Sequence, residues 1–141
     1  VMTAQTAITS RVSRMGVGAR EIHWESVAAI TSGTAKGRWV CPWYCTIVDV
    51  LANSGTAGSG GTSDIIDVNI GGTTIFTTQG NRPVLLVGDT GFFSVSGLGV
   101  YQGVPEVVSL QPGSVVTYDI DQIATTGSAL FTLTIVLSDV R

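Results

Sequence analysis

The sequence predicts an all-β protein: an antiparallel β-sandwich, most simply a jelly roll, with an extended N-terminal arm. Three observations lead there. Apolar and polar residues alternate through several short runs, most cleanly in residues 114–123 (SVVTYDIDQI) and 129–137 (ALFTLTIVL). That period of two belongs to a strand with one buried face. The 18 glycines, with Pro83 and Pro112, fall between such runs, where turns are needed. No segment carries a convincing helical period, and eight or nine strands at this spacing suit two packed sheets.

In order along the chain, residues 1–20 read as an extended arm with a short strand over residues 6–12. Gly16 and Gly18 interrupt any helix there. Residues 21–141 form the sandwich domain. Residues 21–31 make its first strand, with Ile22 and Trp24 on one face and His23 and Glu25 on the other. Residues 32–37 turn. Residues 38–51, RWVCPWYCTIVDVL, form one long β segment, which Pro42 must bend because it cannot donate to a ladder. Trp39, Trp43 and Tyr44 gather at that bend. Packing at the rim of the core is the simpler reading; an aromatic patch for a sugar or protein partner is the sharper one. Residues 53–63, NSGTAGSGGTS, read as a mobile surface loop. They lack the G-x-x-x-x-G-K-[ST] pattern and following helix of a phosphate-binding loop.

Residues 64–83, DIIDVNIGGTTIFTTQGNRP, are the best-defined unit. Ile66, Val68 and Ile70 alternate with Asp67 and Asn69. Gly71-Gly72 supplies the positive φ angles of a tight hairpin turn, and residues 73–78 return as the second strand. Further strands are expected over residues 84–87, 92–95, 104–110, 114–123 and 129–137. In residues 114–123, Val116, Tyr118 and Ile120 face the core, against Thr117, Asp119 and Asp121.

At 141 residues the chain makes one domain large enough for a core without staples. Charged residues are only 12% of it, about half the ~25% usual in globular chains. The net charge of −3 is unevenly spread. Residues 1–38 hold five cations against Glu21 and Glu25, and the remainder holds Arg82 and Arg141 against eight acids. A basic arm on an acidic body suits subunits that dock on one another or on an acidic lattice. Nucleic-acid binding is not expected, because the arginines lack basic density and the pI is about 4.8. No apolar run spans a membrane, and no signal peptide is expected.

Chemistry-bearing residues are few. Cys41 and Cys45 are the only cysteines. On a straight strand they would lie roughly 13 Å apart, too far for a disulfide, although Pro42 can bring them closer. Two buried thiols are the expectation. His23, the only histidine, has no motif around it and is expected to be structural. Asp67 with Asn69, and Asp119 with Asp121, occupy polar strand faces. Were those strands neighbours, the four side chains would converge as a Ca²⁺ site. Without a D-x-[DN]-x-[DN]-G loop, solvent-facing side chains on half-buried strands, bonded to Thr, Ser or backbone, are the favoured reading. The same pairs make a poor glycosidase acid and base, since no carboxylate is expected to have its pKa raised by burial. No catalytic residue, cofactor or metal is assigned.

Two stretches together carry a resemblance. DVNIGGTTIFTTQGNRP is similar to a strand–turn–strand of jelly-roll modules in tailed-bacteriophage virion proteins, and SLQPGSVVTYDIDQIATTGSALFTLTIVL resembles the end of the same modules. The resemblance covers residues 64–137 and implies a virion structural protein, not an enzyme. It points first to a capsid decoration (cement) protein on the capsid surface, with a major capsid protein and its own copies, as a homotrimer, for partners. A tail-fibre or receptor- and carbohydrate-binding module is the alternative, for which Trp39, Trp43 or Tyr101 would be exposed. Thr6, Ile8, Arg11, Val12, Arg14 and Arg20 are the expected contact residues, because an extended arm can add a strand to a neighbour.

Overall fold

The computed structural model describes residues 11–14, 19–89, 93–94 and 105–139. Their strands are β1 (Arg11–Arg14), β2 (Ala19–Ser26), β3 (Gly33–Val40), β4 (Cys45–Thr56), β5 (Asp64–Ile70), β6 (Thr73–Thr74), β7 (Val84–Leu85), β8 (Phe93–Ser94), β9 (Ser109–Leu110), β10 (Val115–Gln122) and β11 (Ala129–Asp139). One three-residue 3₁₀ turn, Gln79–Asn81, interrupts them. The expected all-β sandwich is what forms. One sheet runs β1-β2-β11-β4-β8, with β9 also on β4; the other runs β3-β10-β5-β6, with β7 also on β5. Every pairing is antiparallel.

Alternation builds the interior. Phe131, Leu133, Ile135 and Leu137 point inward from β11, and Val116, Tyr118 and Ile120 face them from β10. The polar residues between them point out, as in any sheet with one wet face. Trp24 is fully buried; its ring centroid lies 5.2 Å from that of Tyr118, which lies 6.1 Å from Phe131. Gly37 of β3 lets these rings close in. A Cβ there would sit 2.7 Å from both Trp24 Nε1 and Tyr118 Cε1.

The hairpin turn forms as expected, with φ of +59° at Gly71 and +85° at Gly72. Its return strand is shorter than the sequence suggests. Ile75 and Phe76 are both fully buried, and two consecutive inward side chains cannot lie on one pleat. The chain leaves the ladder after Thr74, whose hydroxyl accepts the Phe76 N–H at 3.0 Å.

Four further expectations are corrected. Residues 32–37 do not form a turn: β3 starts at Gly33 and pairs with β10. Residues 38–51 are not one β segment: β3 ends at Val40, β4 begins at Cys45, and the two lie in different sheets, so Pro42 marks a crossing. Residues 53–63 are not a free loop. Their first part extends β4 because β11 pairs it through Thr56. Their second part is clipped to residues 125–126 by Ser59 N–H to Thr126 O at 2.9 Å and Thr125 N–H to Gly60 O at 2.8 Å. The strand expected over residues 104–110 reduces, among the described residues, to Ser109–Leu110, because Glu106 and Val107 instead donate their N–H groups to Ile75 O.

At the N-terminus, Arg11–Arg14 pairs with β2 in the register Val12–Ile22. The strand expected over residues 6–12 lies mostly outside the described residues. Among those described, no helix is long and apolar enough to cross a membrane.

Candidate functional site

The polar face of β5 and β10 gathers the acids. These strands are neighbours, with Asp67 opposite Asp119 and Asn69 opposite Thr117. Pleat alternation puts Ile66, Val68, Tyr118 and Ile120 into the core, so Asp67, Asn69, Asp119 and Asp121 share the outer face. One oxygen from each of Asp67, Asp119 and Asp121 lies within 4.8 Å of the others. The convergence that the sequence made conditional on strand pairing therefore occurs for the three acids, while Asn69 turns its amide N–H to Asp119.

Each carboxylate also has its own donors. Asp67 accepts the Thr74 hydroxyl at 2.6 Å and the Val68 N–H at 2.8 Å. Asp119 accepts the Ala35 N–H at 2.8 Å and the Asn69 amide at 3.0 Å. Asp121 accepts Arg82 Nη1 at 2.6 Å. The favoured reading holds for the bonding, to Thr and backbone with Asn69 and Arg82 added, but not for exposure, since Asp67 and Asn69 are buried. A hard divalent ion takes six to eight oxygens; here the guanidinium already supplies the compensating charge.

The expectation that no carboxylate is raised by burial is corrected. Asp67 is only 6% exposed, beneath Thr74, and burial pushes its carboxyl above the ordinary value of 3.8. The neighbouring Asp121 charge acts in the same direction, while the Thr74 hydrogen bond opposes it. The separations within this cluster are nevertheless shorter than the roughly 5–9.5 Å between the carboxyls of a glycosidase pair.

A second buried acid escaped the sequence reading. Asp64, at the start of β5, is 1% exposed and accepts the N–H groups of Ala124 at 2.8 Å and Ser128 at 3.0 Å, together with the Ser128 hydroxyl. It clips the turn before β11 to the second sheet. Nothing in DIIDVNI distinguishes it from an ordinary strand-end acid. Arg82 did carry a signal: it is the only cation between residues 39 and 140.

The expected contact residues divide. Thr6 and Ile8 lie outside the described residues. Arg11, Val12 and Arg14 lie on β1, which borders the larger sheet. Arg20 turns into one end of the sandwich: its guanidinium lies 4.3 Å over the Trp43 ring and 3.6 Å from Asp139. Trp43 meets Trp39 edge-on at 6.0 Å, and both are part-buried against the core, as rim packing requires. Tyr44 is the exposed aromatic there, at 61%, and it lines a shallow pocket of about 370 Å³ with Ser109, Leu110, Gln111 and Ser114. Tyr101 lies outside the described residues. His23 bonds Thr134 at 3.0 Å and Glu25 at 3.1 Å on the outer face of the larger sheet. Cys41 and Cys45 are both buried and free, as expected.

No family model, curated protein or solved structure matches the chain.

Proposed function

We propose that this chain is a capsid decoration (cement) protein, a jelly-roll sandwich that lies on the head shell of a tailed bacteriophage and contacts the major capsid protein and its own copies as a homotrimer. The observation that carries the reading is the border strand β1. It is four residues long and pairs on one side with β2; among the described residues, no strand pairs its other side. Such a border presents unpaired N–H and C=O groups to which a neighbouring chain can add a strand.

Two further features support it. The strands interleave between sheets, β2, β11, β4 and β8 in one and β3, β10, β5 and β6 in the other, which is the order a jelly-roll winding gives. That agrees with the resemblance carried by residues 64–137. Exposed apolar side chains also stand at the end of the larger sheet, where Val27 is 72% exposed and Leu130 51%. A subunit lying against other subunits uses such groups.

The pocket beside Tyr44 favours a second reading, a tail-fibre or receptor-binding module that stacks a sugar ring on that phenol. Cryo-electron microscopy of the particle carrying the protein separates the two. Density over the head shell, at its symmetry axes, is the expected result. Density at the tail tip selects the second reading, and a particle without the protein ends both.

A further inference from the structure

The crossing from β3 to β4 brings together two thiols that the docking reading does not use. Cys41 and Cys45 are both fully buried, and their sulfurs stand 3.6 Å apart. Backbone bonds hold them from both sides. Cys41 exchanges bonds with the turn before β10, its N–H donating to Ser114 O and its C=O accepting from Gly113 N–H, each at 2.8 Å. Cys45 sits in β4 between Leu110 of β9 and Asp139 of β11. The bend at Pro42 thus overcomes the separation of a straight strand. A disulfide needs the sulfurs about 1.5 Å closer still, a shift within reach of side-chain rotation and a small adjustment of residues 42–44.

We propose that Cys41 and Cys45 are an oxidisable dithiol that closes into an intrachain disulfide by exchange with a low-molecular-weight disulfide such as oxidised glutathione. One protein thiolate attacks a glutathione sulfur and expels one reduced glutathione. The second protein thiol loses its proton to solvent and attacks the protein sulfur of the mixed disulfide, expelling the other. Two protein thiols are oxidised and one small disulfide is reduced to two thiols, so electrons and protons balance. The resting pair is protected. Burial, with the Cys41 hydrogen bond behind it, pushes the Cys45 thiol up to about 12, and only a thiolate attacks. Exchange therefore waits for the 42–44 bend to open. Once formed, the bond ties the two ends of the bend that carries Trp43, the ring beneath Arg20.

The test uses the native chain, incubated with excess oxidised glutathione in mildly alkaline buffer, then alkylated and mapped by mass spectrometry. The expected product is lighter by two hydrogens, joins Cys41 to Cys45 and retains no glutathione. It forms faster in urea kept below the unfolding transition. Cys45→Ser, with Cys45→Ala as the second choice if it folds poorly, is expected to trap one glutathione on Cys41. Glutathione retained on both cysteines of the native chain overturns the proposal. So do two thiols still open to alkylation after incubation in sub-transition urea.

Discussion

Asp119 of β10 stands directly opposite Asp67 of β5, two carboxylates on one rung of the ladder. Like charges so placed destabilise a sheet by roughly 0.2–1 kcal/mol. Asn69, the Ala35 N–H and Thr74 offset part of this. Protonation of Asp67, favoured by its burial and then by the neighbouring Asp121 charge, relieves the rest.

The first prediction follows from that proton. The folded carboxyl of Asp67 titrates above 3.8, so its favourable contribution is complete below that pH and is lost as pH rises through the raised value. An amide mimics the protonated acid. Asp67→Asn is expected to be more stable than the parent by about 0.5–1 kcal/mol at neutral pH. The difference shrinks toward zero as pH falls to 3.8. Urea unfolding across that range measures it; a variant weaker than the parent at neutral pH contradicts the argument.

Glu106 supplies the opposite slope. Hydrogen bonds from the Thr77 hydroxyl and the Thr78 N–H hold its carboxyl below 4.5. Its contribution is present above 4.5 and lost as pH falls through the lowered value. Glu106→Gln is therefore expected to flatten the acid limb of the stability curve, which Asp67→Asn leaves in place. An unchanged acid limb in the same urea series tells against it.

Arg82 is the counter-charge of the cluster. Its ion pair with Asp121 is only 20% and 30% exposed at the two side chains, between the surface and buried cases. Arg82→Ala is expected to lower stability by about 1–2 kcal/mol. Asp67→Asn on that background is expected to recover part of the loss, because it lowers the number of facing charges. A double-mutant cycle reads this directly; strict additivity means the residues act separately.

Asp64 makes a sharper case. Truncation to Ala strands two buried N–H groups, of Ala124 and Ser128, and one hydroxyl. At roughly 1–3 kcal/mol for each unsatisfied group, Asp64→Ala is expected to destabilise by about 3 kcal/mol or more. Thermal unfolding followed by circular dichroism measures the shift, and a loss under about 1 kcal/mol contradicts the clip.

These residues show where sequence reasoning reached and stopped. Gly71-Gly72 was legible because only a turn with positive φ explains the pair between two β-rich runs. β10 and β11 were legible because one face of each is uniformly apolar. β6 was not, because Ile75-Phe76 reads as good strand sequence until both side chains prove to face the core. The break at residues 41–44 hid for the same reason: β-favouring residues run through it, and Pro42 alone marks it. The acid cluster was legible only as a condition, since the pairing of β5 with β10 is long-range and no local pattern encodes it. Asp64 was missed, and Arg20 was read as a docking contact, because their partners, Ser128 and Asp139, are set by tertiary contacts alone.

The border strand gives the prediction closest to function. Deleting residues 1–14 removes β1, while β2 keeps its antiparallel pairing to β11 from Ala19 through Ser26. The sandwich should therefore fold, with an unchanged β spectrum in circular dichroism. Affinity for capsids, measured by co-sedimentation, is expected to fall tenfold or more, equivalent to about 1.4 kcal/mol. A synthetic peptide of residues 1–20 is expected to compete with the full chain for the same sites, because strand addition draws on the peptide backbone more than on the body. Deletion that leaves co-sedimentation intact removes β1 from the interface and shifts attention to the apolar end at Val27 and Leu130. Folding without binding is the combination that only an interface role for the border strand produces.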